Sequence, residues 1–442
     1  MEKFKELYKQ KLTTADEAVK LIKSGTQMVL PLGNGEPPTL MEALAQRVLR
    51  GEVNNLHSVT GIQVRPSTYY TPQVVEKGII IDSGFVGPVL RWGIQSGLFT
   101  YTPSHLSEVS SYCWRCHEKI ETVMYVVSPM DKHGYFTTGT HCDWAWEVAK
   151  RTPAMKNIIV EVNENMPRTH GNNSFHISEI SAIVENHMPL VELPDIPMTK
   201  EDELIGQYIA DQVPDEATLQ LGIGGVPNAV AMFLHDKRDL GVHTEMLTDS
   251  MVDLYERGVI TCSKKNFMHT KMVTSFALGK KRLYDFVDDN TMVQFYPTSF
   301  VNDPVTVGQN DNLISVNAAL EVDLTGQCAS ESIGPIQYSG TGGQVDFVRG
   351  SWKSNGGKSF IACYSTYTDK EGKMHSRIKS MLTHGAVVTT TRSDVQNVVT
   401  EYGIAILKGH NMRERAKRLI AVAHPDFREE LTAEAKRIGL FQ

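Results

Sequence analysis

One carboxylate follows a glycine-rich turn at a spacing that suits two kinds of chemistry. The segment LGVHTEMLTDSM (240–251) has the pattern of a buried strand that carries Glu245 near its end. Glu245 lies 23 residues beyond Gly222, the first residue of the turn GIGGVP. An acid at this distance can hold the ribose of a dinucleotide, and a carboxylate in this position can also act as a nucleophile. A solvated loop acid is the structural alternative, and the spacing alone leaves all three open.

The GIGGVP turn itself has the features of an anion site. It joins a predicted strand, ATLQLGIGG, to a predicted helix, PNAVAMFLHDK, so exposed amides and the helix dipole favour a phosphate or a developing oxyanion. The spacing is Gly222-x-Gly224-x-x-Pro227, and proline replaces the third glycine of the dinucleotide fingerprint. That glycine permits close helix–strand packing, so its absence weakens the hypothesis of an NAD site. A plain tight turn remains an alternative.

A second glycine turn occurs in YSGTGGQVDFVRG, where Gly340, Gly342 and Gly343 precede a helix-compatible segment. Backbone amides in such a turn can stabilise negative charge that develops on a carbonyl oxygen. Lys358 follows, at the entry to the apolar segment KSFIACYST. Its charge suits a ligand phosphate or carboxylate, and a solvated lysine at a strand entry is an equal alternative.

Other polar or reactive groups lie in the first half of the chain. The loops LGNGEPPTL (32–40) and SPMDKHGYFTTGT (128–140) make Glu36 and His133 candidates for substrate contacts or for turn stabilisation. CWRCH at 113–117 matches a haem-attachment pattern, but no export signal accompanies it and no second C-x-x-C supplies zinc ligands. We therefore expect a local structural pair at Cys113 and Cys116, and no metal site.

The elements that must position these residues have an α/β pattern. The first 25 residues predict one helix that ends at Gly25, and a proline-bearing segment at 187–203 predicts a linker. Beyond it, apolar strands alternate with helices, and GAVVTTTR (385–392) has the composition of a further strand. This pattern predicts two α/β domains with mainly parallel sheets, residues 1–190 and 200–442.

Composition restricts the partners. The net charge is −7 without a long run of like charge, which disfavours nucleic acid and anionic membrane surfaces. The chain has no stretch of 18 consecutive apolar residues and no apolar N-terminal signal, so we expect a cytoplasmic location.

Several segments together resemble a known family. TLQLGIGGVPNAV, LGVHTEMLTDSMVDL, YSGTGGQVDFVRG, TEYGIA and VAHPDF are similar to segments of the acetyl-CoA hydrolase/transferase group of coenzyme A transferases. Within that group, the 4-hydroxybutyrate CoA-transferases and the butyryl-CoA:acetate CoA-transferases are nearest. The resemblance runs from TADEAVKLIKSG to the C-terminal helices and covers essentially the whole chain.

The resemblance implies two tandem open α/β domains with the active site between them, and a homodimer. It implies an enzyme that moves coenzyme A between an acyl-CoA and a short-chain carboxylic acid, by a ping-pong reaction through a glutamyl-CoA thioester. Coenzyme A would then be a substrate, and no tightly bound cofactor is expected. The alternatives are an acyl-CoA hydrolase on the same scaffold and an NAD-binding protein of a different class.

The resemblance also assigns roles to individual residues. Glu245 would be the nucleophile, with Asn302 of FVNDP placed near it. The residues expected to bind coenzyme A are Gly222, Ile223, Gly224, Gly225, Val226, Leu320, Gly343 and Lys358. The surroundings of LGNGEPPTL differ most within the family, so the acid that accepts coenzyme A stays open: acetate, propionate, butyrate, 4-hydroxybutyrate or succinate.

Overall fold

The computed structural model describes residues 2–117 and 119–442, which form two compact units. The first unit contains the chain up to Pro194 together with Glu245–Asp249 and Val273–Val301. The second unit contains Asp195–Thr244, Ser250–Met272 and Asn302–Gln442.

The sequence had assigned residues 200–442 to one domain, whereas two later segments belong to the first unit. The reason is hydrogen bonding between residues far apart in sequence, as when the Cys142 amide donates to the Ser275 carbonyl at 2.6 Å. A contiguous division cannot represent such an exchange of segments.

The helices are α1 Glu2–Lys11, α2 Ala15–Ala18, α3 Pro38–Leu49, α4 Pro72–Gly78, α5 Arg91–Gln95, α6 Val109–Cys116, α7 Trp144–Arg151, α8 Lys200–Ala210, α9 Gly225–Met232, α10 Asp249–Glu256, α11 Lys281–Val287, α12 Thr298–Val301, α13 Pro304–Val307, α14 Gln344–Lys353, α15 Met412–Ala421 and α16 Pro425–Arg437. Short 3-10 turns lie at Val19–Leu21, Gly33–Gly35, Thr68–Tyr70 and Leu106–Glu108.

The strands of the first half are β1 Gln27–Val29, β2 Leu56–Thr60, β3 Ile79–Ser83, β4 Thr100–Tyr101, β5 Ile120–Val127, β6 Tyr135–Thr137, β7 Asn157–Val162, β8 His170–Gly171, β9 Ser174–His176 and β10 Ala182–Glu185. Those of the second half are β11 Thr218–Gln220, β12 Gly241–Leu247, β13 Met272–Ala277, β14 Val293–Phe295, β15 Leu313–Ala318, β16 Glu321–Asp323, β17 Cys328–Ala329, β18 Ser332–Ile333, β19 Ile336–Gln337, β20 Lys358–Ala362, β21 Thr366–Thr368, β22 Met374–Ser376, β23 Ile378–Lys379, β24 Asn397–Thr400 and β25 Gly403–Ile406.

The first unit is built on a parallel sheet of seven strands in the order β10-β7-β5-β1-β2-β3-β4. Its strands are apolar because helices cover them, and Leu40, Leu44 and Val48 of α3 pack in the same core as Met28 and Ile81. The carboxyl ends of β1 and β2 therefore meet at one edge of the sheet.

The main sheet of the second unit has the strand order β25-β24-β20-β15-β11-β12, in which β12 contributes the residues up to Thr244. The pairings are parallel except between β24 and β25. The predicted fold class, mainly parallel α/β, is therefore confirmed, and the turns after β11 and β15 lie at the carboxyl edge, where open α/β sheets bind ligands.

Two predicted elements were wrong. The first 25 residues form α1 and α2 instead of one helix, because Thr14 is extended and caps α2 by accepting from the Glu17 amide. The segment 385–392 forms no strand within the described chain: Val387 and Val388 stay exposed, and Thr390 makes only an isolated bridge to Cys328.

Two features are absent from residues 2–117 and 119–442, a membrane-spanning helix and a cluster of metal-ligand side chains. No helix in these ranges has the length and apolar character that a membrane span requires. The same ranges hold no group of three or more His, Cys, Asp or Glu side chains arranged to bind a metal ion.

Candidate active site

Glu245 occupies an unusual position in β12. The strand is buried at every residue except Glu245, which is partly exposed. The backbone carbonyl of Glu245 accepts a hydrogen bond from Thr274 Oγ1 at 3.1 Å, and Thr274 belongs to β13. The strand therefore fixes the backbone of Glu245 while leaving the residue partly exposed. A nucleophile needs such a fixed position and access to its substrate.

Within the first unit, β13 connects this strand to the loop before α7. The Ala277 amide donates to the Thr140 carbonyl at 2.7 Å, and His141 forms an antiparallel bridge with Phe276. His141 also stacks on Tyr125, with ring centroids 5.1 Å apart and an interplanar angle of 9°. Burial lowers the pKa of His141 to about 3, so this imidazole is neutral.

His141 in turn supports the GNGE loop that follows β1. A Cβ added at Gly35 would lie 2.0 Å from His141 Nε2, so only glycine allows this approach. Asp143, the N-cap of α7, accepts from the Leu32 amide at 2.7 Å and from the Ala145 amide at 2.8 Å. The loop is thus fixed from two sides, and β13 links it to the strand of Glu245.

Glu36 ends this loop and is buried, with 8% of its surface exposed. Tyr70 and Thr60 both donate hydrogen bonds to Glu36 Oε1, the latter at 3.3 Å. Gln63 Nε2 donates to Thr60 Oγ1 at 2.7 Å, which completes a polar cluster at the carboxyl end of β2. Burial raises the pKa of Glu36 to about 8, against hydrogen bonds that lower it.

In the second unit, the GIGG turn has room above it. A Cβ at Gly222 would meet nothing within 4 Å, and one at Gly224 would meet only Pro227 Cδ at 3.9 Å. Gly224 is the N-cap of α9 and has φ of +121°, a conformation that glycine adopts without strain. The turn therefore presents backbone to solvent at a helix N-terminus.

Gly225 fixes the turn on its other side. A Cβ there would lie 2.1 Å from Asp202 Oδ2, so the backbone packs directly against this carboxylate. Asp202 forms a capping box with Thr199 at the start of α8, and the Tyr364 hydroxyl donates to Asp202 Oδ1 at 2.6 Å.

The other two backbone segments expected to bind coenzyme A lie in the same unit and share one anchor. Gly343 is the N-cap of α14, and Gln344 follows it. Gln344 Nε2 donates to the Ala318 carbonyl at 2.7 Å, two residues before Leu320, and its Oε1 accepts from Ser330 and Thr390, each at 2.9 Å. The structure therefore connects the GTGG turn to the carboxyl end of β15.

Lys358 does not belong to this group. It is the first residue of β20, paired in parallel register with Ile314, and its Nζ donates to the Gln212 carbonyl at 3.2 Å. The lysine thus lies at the amino edge of the sheet, opposite the turns after β11 and β15, and we remove it from the predicted site. The sequence already placed Lys358 at a strand entry, and its role in binding coenzyme A came from the family resemblance alone.

Asn302 is fully buried between α12 and α13, and its role stays a prediction. His133 lies exposed in a turn, where its amide donates to Asp131 Oδ1 at 2.8 Å, so a turn role suits it. Cys113 is buried and Cys116 exposed on α6, and both are free thiols.

Several supporting residues were missed from the sequence, namely Tyr70, Asp143, Asp202, Thr274 and Gln344. Each also has a partner that is distant in sequence, and no local pattern marks that contact. The one usable signal was the Thr199–Asp202 spacing, which is that of a helix N-cap.

Comparison with known proteins identifies the family. Residues 1–193 match the acetyl-CoA hydrolase/transferase N-terminal domain, and residues 279–435 match the acetyl-CoA hydrolase/transferase C-terminal domain. The chain therefore belongs to the acetyl-CoA hydrolase/transferase family.

Characterised relatives span the whole chain. A succinyl-CoA:cyclohexane-1-carboxylate CoA transferase of Geobacter metallireducens is 44% identical over 98% of this chain and 96% of that protein. A 4-hydroxybutyrate coenzyme A transferase of Clostridium kluyveri is 42% identical over 98% and 99%. A butyryl-CoA:acetate CoA-transferase of Anaerostipes caccae is 41% identical over 99% of each.

The fold of this chain is similar to the solved structures of proteins of related sequence. RipA from Yersinia pestis superposes with a TM-score of 0.91 at 40% identity, over 99% of this chain and 100% of that one. A 4-hydroxybutyrate CoA-transferase of Porphyromonas gingivalis gives 0.83 at 34% identity, over 98% and 100%. With relatives of this kind over its full length, the chain is an enzyme of the CoA-transferase class.

Proposed function

We propose that this enzyme moves coenzyme A between an acyl-CoA and a short-chain carboxylate, with Glu245 as the nucleophile. The observation that supports Glu245 as the nucleophile is the burial pattern of β12, in which Glu245 alone is partly exposed. The acids we favour are acetate with butyrate or 4-hydroxybutyrate, because relatives that span the chain are named for these compounds.

The reaction proceeds in two halves. The Glu245 carboxylate attacks the thioester carbonyl of the acyl-CoA, which gives a mixed acyl-glutamyl anhydride and a coenzyme A thiolate. The thiolate attacks the glutamyl carbonyl, so that a glutamyl-CoA thioester remains and the first acid leaves. An incoming acid reverses these steps and departs as the new acyl-CoA. Covalent catalysis of this kind divides one difficult exchange into easier steps.

Backbone amides supply the remaining chemistry. Each step passes through a tetrahedral oxyanion, and preorganised amide donors stabilise such a charge by about 3 kcal/mol each. We assign coenzyme A binding to Gly222–Val226, to the chain end at Leu320 and to the turn at Gly343. The room over Gly222 and the N-cap positions of Gly224 and Gly343 support this assignment.

The covalent intermediate gives the test. The protein is incubated with butyryl-CoA alone and digested, and the peptides are analysed by mass spectrometry. We expect a coenzyme A adduct, or the borohydride-reduced alcohol, on the peptide that contains Glu245. An adduct on another peptide, or none, contradicts the nucleophile.

The same experiment separates transfer from hydrolysis. A transferase retains the adduct until an acid is added and then forms new acyl-CoA, whereas a hydrolase releases coenzyme A continuously into water. We expect stoichiometric acetyl-CoA on addition of acetate and little free coenzyme A before it.

We further propose that the enzyme is a cytoplasmic homodimer, as the family resemblance suggests. Light scattering after size-exclusion chromatography tests the oligomeric state, and a mass near 49.3 kDa, that of one chain, would contradict the dimer.

A further inference from the structure

The polar cluster around Glu36 is not used by the chemistry at Glu245. Glu36 lies at the carboxyl end of β1 and β2, the edge of a parallel sheet where ligands bind. Tyr70 and Thr60 both donate to one carboxyl oxygen, Oε1, so the other oxygen, Oε2, is the one available to carry a proton. Glu36 as a whole residue keeps 8% of its surface exposed.

The surroundings fix the orientation of this carboxyl group. Gln63 holds Thr60 through a hydrogen bond of 2.7 Å, and Thr60 Oγ1 lies 3.1 Å from the Tyr70 hydroxyl. The GNGE loop is itself attached to Asp143 and packed on His141, and β13 links that region to the strand of Glu245 within one unit. A donor held in a fixed orientation is what recognition of a small substrate requires.

We propose that Glu36 is a binding residue for the acid that accepts coenzyme A, to which it presents a protonated carboxyl group that donates a hydrogen bond to the acid's carboxylate. This inference rests on the proposed transfer of coenzyme A to a carboxylate and adds the residue that recognises the acceptor. The ligand class is a short-chain monocarboxylate, for which acetate and butyrate serve as probes.

The electrostatics support the geometry. Burial raises the pKa of Glu36 to about 8 and the Asp143 carboxylate raises it further, against hydrogen bonds from Tyr70, Thr60 and Gln63. The other titratable groups that act on this carboxyl are Tyr69, whose pKa burial raises, and Arg65. At neutral pH Glu36 is therefore an uncharged donor, and above about pH 8 it becomes an anion that repels a carboxylate.

The test measures the second half-reaction. The glutamyl-CoA enzyme is prepared from butyryl-CoA, and acetate is added at pH values from about 6.5 to about 9.5. We expect the half-saturating acetate concentration to be constant at low pH and to rise about tenfold at one pH unit above the midpoint of the Glu36 titration. A concentration that stays constant across this range overturns the proposal.

Three variants assign the effect to Glu36. Glu36→Gln keeps a donor but cannot ionise, so we expect a half-saturating concentration about fivefold higher at pH 7 and no further rise with pH. Tyr70→Phe removes a hydrogen bond that lowers the Glu36 pKa, so the rise moves to higher pH. Glu161→Gln is the matched control. Glu161 is also buried, but it accepts hydrogen bonds from the Thr39 and Leu40 amides. In this variant the half-saturating acetate concentration should rise over the same pH range as in the wild type.

The outcomes are separable from failure of the proposed function. If no glutamyl-CoA forms, the transfer mechanism fails before acetate is added. If the adduct forms but the half-saturating acetate concentration still rises with pH in Glu36→Gln, the transfer mechanism stands and the role of Glu36 is wrong. The same conclusion follows if this rise occurs at the wild-type pH in Tyr70→Phe.

Discussion

Glu245 is the residue whose replacement separates chemistry from folding. Glu245→Gln retains the shape of the side chain but removes the nucleophile, so we expect exchange between butyryl-CoA and acetate to fall by about 10⁴-fold or more. We expect the melting temperature to change little, because the side chain is partly exposed. Exchange is followed by chromatography of the acyl-CoA esters.

Glu256→Gln provides the control for Glu245→Gln. Glu256 is an exposed glutamate at the end of α10, and its variant should exchange coenzyme A at the wild-type rate. Exchange by Glu245→Gln within tenfold of the wild type would contradict the mechanism.

Two glycines of one turn make a second test at the residue scale. Gly224→Ala forces a side chain into a φ of +121°, which costs about 1–3 kcal/mol of folding stability. Gly222→Ala meets no atom within 4 Å, so stability should hold. The same methyl group would fill the space we assign to coenzyme A, and the KM for acyl-CoA should rise.

Denaturant unfolding and steady-state kinetics measure the two effects. Equal stability of the two variants would contradict the backbone argument, and an unchanged KM for Gly222→Ala would contradict coenzyme A binding at this turn.

At the scale of elements, Gln344 connects the start of α14 to the end of β15. Gln344→Ala removes three hydrogen bonds of a buried side chain, which costs about 1–3 kcal/mol and frees the GTGG turn from the Ala318 carbonyl. We expect the KM for acyl-CoA to rise more than kcat falls, because the turn binds the coenzyme.

Lys358→Ala is the matched control on the opposite edge of the same sheet. The Lys358 side chain also donates a hydrogen bond to a backbone carbonyl, at 3.2 Å. It lies at the amino edge of the sheet, whereas the glycine turns lie at the carboxyl edge. Its KM for acyl-CoA should stay within about twofold of the wild type. A larger rise would restore Lys358 to the site.

The elements also show what the sequence can reveal. The buried-strand patterns of LGVHTEM and KSFIACYST predicted β12 and β20, because burial on both faces of a parallel sheet demands apolar residues. In the similar run at 385–392, Val387 and Val388 are exposed, since composition records apolar character but not the presence of a covering layer. Lys358 was predicted at a strand entry, and the register of β20 confirms that it lies at the amino edge of the sheet, away from the glycine turns.

At the scale of the molecule, the division of the chain could not be read from the sequence. Glu245 falls in the unit formed mainly by the N-terminal half, although it follows Thr244 of the other unit directly. A prediction from chain order keeps Thr244 and Glu245 in one domain. The contact of Glu245 with Thr274 of β13 instead lies within the first unit. Glu36 was a candidate from the sequence, but its partners Tyr70 and Thr60 were not, because the fold brings them to it.

The pH dependence of whole-molecule stability tests whether Glu36 is protonated in the folded protein. Its pKa is about 8 when folded and about 4.3 when unfolded, so between these values the folded state binds more protons. Its stabilising contribution is therefore complete below about pH 4, declines as pH rises and is lost above about pH 8. Burial raises the pKa of Asp143 to about 7, which adds a decline of the same sign.

Glu36→Gln removes the Glu36 part of this decline, so the melting temperature of the variant should rise relative to the wild type between about pH 5.5 and pH 8.5. Glu42→Gln, at an exposed glutamate on α3, should follow the wild type throughout. Calorimetry of the three proteins at matched ionic strength measures the difference. A difference in melting temperature between Glu36→Gln and the wild type that stays constant with pH would mean that Glu36 is ionised in the folded protein. An ionised Glu36 has no proton to donate to the carboxylate of an acceptor acid.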